Sequence, residues 1–129
     1  MKWLWNKLRV LFWTFYGEVL KLLVRIGCIK PLHGINTSPR QRPIIVNLTS
    51  YGRRVTEVVH FTIISLLRQS YKPDAIILWL DDDNWNADNI PQTLQALIPY
   101  GLTIKFCKDI RSFKKLVPAL DAFPNALHI

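Results

Sequence analysis

The stretch between Pro43 and Asp83 most constrains the fold, because two short apolar runs there enclose a segment with helical periodicity. The runs cover residues 44–48 and 75–80, and both are rich in β-branched residues, as in strands that helices cover on both faces. Residues 55–69 carry apolar or near-apolar side chains three and four positions apart, which predicts one amphipathic helix. Strand, helix and strand in this order predict a parallel βαβ unit.

Polar segments follow both predicted strands. Residues 49–54 form a turn after the first strand, and three consecutive carboxylates, Asp81, Asp82 and Asp83, follow the second. Parallel strands joined by a helix place these loops at the same edge of the sheet. We therefore expect the turn and the carboxylates to face one crevice, where a ligand would bind.

The rest of the chain continues the alternation of helix and strand. A helix is predicted over about 90–98, and the strict alternation of residues 102–106 indicates a strand with one wet face, near a sheet edge. The next helix, which Pro118 should kink or split, carries four apolar residues. They are Phe113, Leu116, Val117 and Leu120. With a fourth strand beginning at Leu127, the predicted fold class is α/β, a partial Rossmann-like parallel sheet with flanking helices, preceded by an amphipathic N-terminal helix.

Positive charge is concentrated in the first part of the chain. Residues 1–54 contain ten Lys/Arg and one acid, whereas residues 55–129 contain seven Lys/Arg and eight acids. A basic arm beside a near-neutral part suggests an anionic partner, either lipid headgroups or nucleic acid. Large apolar residues interleave the charges of the arm, which argues against nucleic acid because nucleic-acid binders present a solvated basic stripe.

Residues 1–30 are predicted to be an amphipathic helix at a membrane interface. Its narrow polar face consists of Lys7, Thr14, Glu18, Lys21 and Arg25. The longest uncharged run has eight residues, far fewer than the roughly 20 that span a bilayer. We therefore predict that residues 2–30 lie on an anionic membrane surface, with packing on the α/β domain as the alternative. Two cysteines in unrelated contexts indicate a reducing compartment, so the predicted location is cytoplasmic, peripheral on the inner face of the membrane.

Residues 31–43 contain three prolines and no apolar period, and are predicted to be a linker to a domain at 44–129. The chain lacks the glycine-rich dinucleotide and P-loop motifs, the G-x-S-x-G elbow and any C-x-x-C pair. His33, His60 and His128 are scattered without the spacing of metal ligands. P-loop, hydrolase and zinc chemistry therefore have no marker in the sequence.

Four features of the α/β part carry a family resemblance. Residues 44–54 read Ile-Ile-Val-Asn-Leu-Thr-Ser-Tyr-Gly-Arg-Arg, and residues 67–74 read Leu-Arg-Gln-Ser-Tyr-Lys-Pro-Asp. Asp81 follows the second strand, and residues 113–120 read Phe-Lys-Lys-Leu-Val-Pro-Ala-Leu. These strings resemble the opening strand and turn, the first helix end, the nucleotide-reading acid and a bacterial-subgroup segment of glycosyltransferases with the GT-A fold. The resemblance covers roughly residues 43–129.

This resemblance implies a nucleotide-diphosphate sugar as the donor. Thr49, Ser50 and Tyr51 would line the pocket for the base, and Asp81 would bond the base or the ribose. The chemistry of these residues agrees, because a carboxylate at a strand end can accept hydrogen bonds from ribose hydroxyls and Tyr51 offers a ring for stacking.

Four cations are candidates for phosphate contact. They are Arg53, Arg54, Arg111 and Lys115. For Arg53 and Arg54 the alternative is a solvated turn, and for Lys115 it is a position on the surface of a helix.

The run Asp81 to Asp83 contains Asp-x-Asp, a pattern that can bind Mg²⁺ or Mn²⁺. In the resembled family that motif follows a later strand, so we expect Asp81 to contact nucleotide and Asp82 and Asp83 to be solvated. The resemblance places the metal motif, the acceptor site and the catalytic base beyond Ile129. Mg or Mn is therefore expected for the complete enzyme, whereas this segment is expected to hold no metal and no catalytic residue.

Three functions remain open from the sequence. The first is a nucleotide-sugar-dependent glycosyltransferase of surface polysaccharide or glycolipid assembly, present here as an inactive N-terminal fragment. The second is a non-catalytic membrane-peripheral module that uses only the N-terminal helix. The third, prompted by the isoelectric point of about 9.8, is a nucleic-acid-binding protein.

Overall fold

The computed structural model describes residues 1–32 and 34–129, so that His33 lies outside the described residues. The chain divides into two units, Met1–Lys30 and Pro31–Ile129. Each unit is described by itself below.

The first unit contains one helix, α1, over Lys2–Arg25. It ends before the predicted residue 30 because Gly27 adopts a left-handed conformation, with φ of +76°. The N–H groups of Gly27 and Cys28 donate to the carbonyls of Val24 and Leu23 at 3.1 and 2.9 Å, the pair of bonds that defines a Schellman motif. No residue of α1 is buried. None of the helices in the described part of the chain combines the length and the apolarity needed to cross a membrane.

The second unit is built on four parallel strands. They are β1 (Ile44–Thr49), β2 (Ala75–Asp81), β3 (Leu102–Cys107) and β4 (Leu127–His128), in the spatial order β3-β2-β1-β4. Helices α2 (Arg53–Glu57), α3 (Val59–Leu67), α4 (Gln92–Gln95) and α5 (Val117–Ala122) connect them, with short 3₁₀ helices at Ile98–Tyr100 and Arg111–Lys115. The predicted α/β class, an all-parallel Rossmann-like sheet with flanking helices after an N-terminal helix, is confirmed.

Three predicted helices are shorter or more divided than the periodicity suggested. The helix expected over 55–69 is broken at Val58, whose φ of −125° lies outside the helical region and whose side chain is exposed. Adjacent β-branched residues at 58 and 59 have little freedom to adjust within a helix, which favours a break there. Pro91 and Pro99 confine α4 to a single turn, and Pro118 begins α5 as a separate helix, so the predicted split is confirmed.

The core lies on both faces of the sheet. On one face Ile45, Ile77 and Trp79 pack with Ala119 and Ala126 of the chain around α5. On the other face the alternate positions of β2 are fully buried, as expected for a central parallel strand. They are Ile76, Leu78 and Leu80. β3 is an edge strand, as predicted, but its exposure does not alternate strictly, because Phe106 is exposed and Lys105 is only partly exposed.

A buried polar network ties three of the strands together. The Trp79 indole N–H donates to Asn47 Oδ1 at 3.1 Å, and this contact fixes the orientation of the amide because an indole nitrogen can only donate. Asn47 Nδ2 therefore faces His128 Nδ1 as a donor at 3.1 Å, so Nδ1 accepts. His128 Nε2 lies 3.0 Å from the Phe123 carbonyl, where its N–H donates. The network thus requires the neutral Nε2–H tautomer of His128.

Residues 31–43, interpreted from sequence as a linker, carry no helix or strand in their described part. They are nonetheless held against the sheet by Asp74, whose carboxylate accepts hydrogen bonds from Asn36 Nδ2 at 2.7 Å, Arg40 Nη1 at 3.1 Å and the Ile44 N–H at 2.7 Å. The bond from the Ile44 N–H is the main cause that holds the pKa of Asp74 below its ordinary value. This segment therefore belongs to the α/β unit instead of moving freely beside it.

Replacing Trp79 with phenylalanine tests the polar network. The change keeps an aromatic ring in the core but leaves Asn47 Oδ1 buried without its donor, so we expect a loss of about 1–3 kcal/mol in the free energy of unfolding. Urea denaturation of W79F should show this loss. Trp13→Phe, at an exposed position of α1, is the matched control and should leave the midpoint unchanged. Equal midpoints for W79F and the natural chain would contradict the network's contribution.

Candidate functional site

A cavity of about 370 Å³ opens at the carboxyl edge of the sheet. Six residues line it, contributed by the end of β1 and the segment after β3. They are Thr49, Tyr51, Asp109, Arg111, Ser112 and Lys114. Loops that follow parallel strands meet at this edge, which is the usual position of ligand sites in open α/β sheets. The cavity is therefore the candidate functional site.

Asp81 ends β2 beneath this cavity and is almost completely buried. Its carboxylate accepts a hydrogen bond from Asn84 Nδ2, and its Oδ1 lies 3.5 Å from Lys114 Nζ. Burial alone would raise the pKa of Asp81, but the bonds from Asn84 and from its own backbone N–H, together with the Lys114 charge, hold that pKa below 3.8. Asp81 is therefore an anion whose partners are protein groups.

Lys114 is the buried cation of the site, with 4% of its side chain exposed. Its ammonium lies between two carboxylates, 3.5 Å from Asp81 and 3.0 Å from Asp109 Oδ1. Burial disfavours the charged ammonium, but the hydrogen bonds and charges of Asp109 and Asp81 outweigh it and raise the pKa of Lys114. Lys114 is thus a cation in the wall of the cavity whose charge is offset by two carboxylates.

The segment that presents Lys114 is conformationally constrained. Asp109 Oδ1 also accepts the Arg111 N–H at 2.9 Å, closing a short turn. Arg111 is the one described non-glycine residue with a positive φ, +56°, in the left-handed region that side chains rarely adopt. The hydrogen bond from Lys114 is the main cause that lowers the pKa of Asp109. The turn therefore fixes one carboxylate and two cations at the rim.

The predicted base-pocket residues after β1 differ in their exposure. Thr49 lines the cavity and its Oγ1 donates to the Trp79 carbonyl at 3.1 Å, whereas Ser50 is buried and does not line it. Tyr51 is 61% exposed, so its ring is open to a stacking partner. Arg54 lies over that ring, with its guanidinium carbon 5.2 Å from the ring centre.

The predicted phosphate-contacting cations are not all brought to the cavity. Arg111 lines it, whereas Arg53 is paired with Glu57 at 2.8 Å on the surface of α2. Lys115 is exposed and does not line the cavity, and its neighbour Lys114 takes the inward position. The sequence analysis did not single out Lys114 or Asp109. Periodicity cannot distinguish Lys114 from the adjacent Lys115 when the helix type is unknown.

Asp82 and Asp83 are exposed, as predicted. Among the described residues no group of three or more His, Cys, Asp or Glu side chains is arranged to hold a metal ion. Asp81 is the first residue of the Asp-x-Asp string, and its carboxylate already contacts Lys114 and Asn84. The string therefore does not fit a metal site in the arrangement seen.

The site combines an exposed aromatic ring, hydroxyl groups, one accessible carboxylate and two cations around one cavity. Such a set can stack a planar base, accept hydrogen bonds from a polyol and neutralise phosphate. No family model, curated protein or solved structure matches the chain. The fold and the site alone define its class, an α/β unit with a ligand cavity at the carboxyl ends of parallel strands.

Two adjacent lysines provide a test of the buried ion pair. Lys114→Met removes the partner of buried Asp81, so the free energy of unfolding should fall by about 3–5 kcal/mol. Lys115→Met changes an exposed side chain and should alter it by less than about 0.5 kcal/mol. Chemical denaturation of the two variants measures the difference, and equal losses would show that the ion pair does not form.

The acid dependence of stability gives a second test. The pKa of Asp81 is lower in the folded chain than its ordinary value of 3.8, so its stabilisation is complete above that pH and is lost as pH falls through the lower folded value. In Lys114→Met, the buried Asp81 carboxylate has lost its cationic partner, so its pKa should be higher than in the natural chain. Protonation at acid pH then removes the uncompensated negative charge. The difference in the free energy of unfolding between the natural chain and this variant should therefore decrease as the pH falls from about 7 to about 3. A constant gap in denaturation midpoints would contradict this coupling.

Proposed function

We propose that residues 44–129 bind a nucleoside-diphosphate sugar, as the donor-binding part of a glycosyltransferase with a GT-A-like fold. The observation that carries this is the cavity at the carboxyl edge of the parallel sheet, where Tyr51, Asp109, Arg111 and Lys114 converge. Each residue type matches one part of such a donor, and the family resemblance of residues 43–129 supports the same choice. Assembly of a surface polysaccharide or a glycolipid is the activity that the resemblance implies.

The base would stack on Tyr51, whose ring is open to solvent and is already faced by the Arg54 guanidinium. Stacking of a base on an aromatic side chain contributes about 1–3 kcal/mol and tolerates different bases. Thr49 and Ser50 would border this position at the end of β1. This part of the site therefore provides affinity without selecting one base.

The ribose and the phosphates would meet the segment after β3. Asp109 is half exposed and can accept hydrogen bonds from ribose hydroxyls, while Arg111 can pair with the diphosphate and Lys114 offsets the charge of the two carboxylates beside it. Asp81, which the resemblance assigns to the base or ribose, lies beneath Lys114 and would act by holding that ammonium in place. Lys115 would contribute only long-range charge from the surface.

The resemblance implies Mg²⁺ or Mn²⁺ for the complete enzyme. Among the described residues no group of three or more His, Cys, Asp or Glu side chains is arranged to hold such an ion, and the contacts proposed here are those of protein groups.

Thermal unfolding in the presence of nucleotides tests donor binding. UDP or GDP, alone or as the sugar conjugate, should raise the melting temperature of the full chain, because a ligand that binds only the folded state stabilises it. Tyr51→Ala should weaken this effect by about tenfold in affinity, since the stacking surface is lost. Tyr71→Ala, another exposed tyrosine, is the matched control and should bind as the natural chain does. No shift with either nucleotide, or equal weakening in both variants, would refute the assignment.

A second candidate function has its own observation, the exposed apolar surface of α1. We infer that α1 binds an anionic membrane surface as a peripheral anchor, because it exposes many aromatic and aliphatic side chains beside basic residues. They include Trp3, Trp5, Phe12, Trp13 and Phe15. Lys7 lies 4.0 Å from the ring centre of Trp3, so the aromatic and basic groups occur together. Nucleic acid is not a proposed partner.

Deletion of residues 1–30 tests the anchor. The shortened chain should move from the membrane fraction to the soluble fraction, because the apolar and basic side chains of α1 are gone. Circular dichroism of the deletion variant controls for loss of the α/β unit, which forms a separate compact unit. Unchanged partitioning would exclude α1 as an anchor, and salt-sensitive retention on DNA would instead favour a nucleic-acid partner.

A further inference from the structure

The apolar residues between 113 and 120 point away from the core. Phe113, Leu116, Val117 and Leu120 have the spacing of the buried face of a helix, yet all four are 44–64% exposed. The inward positions are taken by Lys114 and Ala119, which are 3% and 0% exposed. The segment therefore presents to solvent the face that its periodicity would place in a core.

Basic side chains accompany this exposed apolar face. Lys108, Arg111 and Lys115 are exposed in the same segment, and Ile110 adds a further apolar side chain at 40% exposure. The segment also contains Asp109, whose carboxylate bonds Lys114, and the exposed Asp121. We call the exposed residues of positions 108–120 the basic apolar stripe. Several exposed apolar side chains flanked by charge in one segment are the features expected of an interaction site.

We propose that the basic apolar stripe docks on an anionic lipid surface, as a membrane contact of the α/β unit that is independent of α1. Charge complementarity selects this occupant, because exposed cations flank the apolar side chains and anionic headgroups offer the matching charge. A second copy of the chain fits less well, since the same three cations would face each other across a symmetric interface. An acidic protein is another occupant, and in that case the label described below would stay exposed in the presence of vesicles.

The stripe and the cavity share three exposed residues, Asp109, Arg111 and Ser112. Arg111 lines the cavity and also belongs to the stripe, so a docked stripe brings the mouth of the cavity to the headgroup layer. Phe113 lies between two cavity-lining residues, Ser112 and Lys114, but points outward with 64% exposure. A substrate that carries a lipid would then reach the cavity from the membrane. The docking itself does not depend on the identity of the bound nucleotide.

A site-specific label on the full chain tests the docking. A spin label is attached at Phe113→Cys in a chain that also carries Cys28→Ser and Cys107→Ala, and Ser65→Cys, exposed on α3, is the matched control position. With vesicles of phosphatidylcholine and phosphatidylglycerol in equal parts, the label at 113 should become protected from a water-soluble nickel complex and more accessible to oxygen. The label at 65 should not change. Because the readout is local, binding through α1 alone cannot produce it.

Several outcomes would overturn the inference. It is wrong if the label at 113 stays exposed to the nickel complex while the chain is bound to vesicles, or if vesicles of phosphatidylcholine alone protect it equally. It is also wrong if the label is protected in solution without vesicles, which would indicate that a second copy of the chain covers the stripe.

Partitioning of substituted chains provides the second measurement. Phe113→Ser with Leu116→Ser should weaken vesicle binding by about tenfold, because two apolar side chains no longer enter the interface. Val58→Ser with Tyr71→Ser removes comparable exposed apolar surface elsewhere on the unit and should leave binding unchanged. Both pairs lie at exposed positions, so circular dichroism should show that the fold is kept. Equal binding by the two double variants would refute the docking.

Discussion

The buried ion pair between Asp81 and Lys114 determines much of the structure around the site. Removing two charges from water costs several kcal/mol, so a buried pair persists only when further hydrogen bonds satisfy both groups. Here Asn84 bonds Asp81, and Asp109 bonds Lys114 at 3.0 Å. These contacts connect the end of β2 to the segment after β3. They therefore fix which side of residues 111–115 faces the sheet.

That orientation has two consequences on opposite sides of one short segment. Inward, it places a cation in the wall of the cavity next to Thr49 and Arg111. Outward, it exposes Phe113 and Leu116, because in a short helical segment the neighbours of an inward lysine cannot also face the core. The polar floor of the candidate site and the apolar surface beside it are thus two results of the same contact.

The sequence predicted the elements with strong periodicity and missed the contacts made between distant residues. The strands at 44–48, 75–80 and 102–106 differ from the observed strands by one residue at one end, because their apolar pattern is set by burial between helices. The inward position of Lys114, in contrast, depends on Asp81, thirty-three positions earlier, and the apolar period of 113–120 predicts the opposite face. Asp74, just before β2, likewise bonds Asn36 and Arg40 in the segment before β1, and no local pattern marks these bonds.

The balance of forces at the basic apolar stripe follows from the charge of the whole α/β unit. That unit, residues 31–129, contains eleven Lys/Arg and eight acids, a net charge of only +3, and exposed Asp82 and Asp83 lie at the same edge of the sheet as the cavity. Each cation near an anionic membrane contributes about 1 kcal/mol, and acids at the same edge reduce this attraction. Electrostatics can therefore orient the unit but supplies only part of the binding free energy. For the proposed docking, insertion of apolar side chains must supply the remainder. The ion pair between Asp81 and Lys114 leaves those side chains exposed, because it turns Lys114 inward.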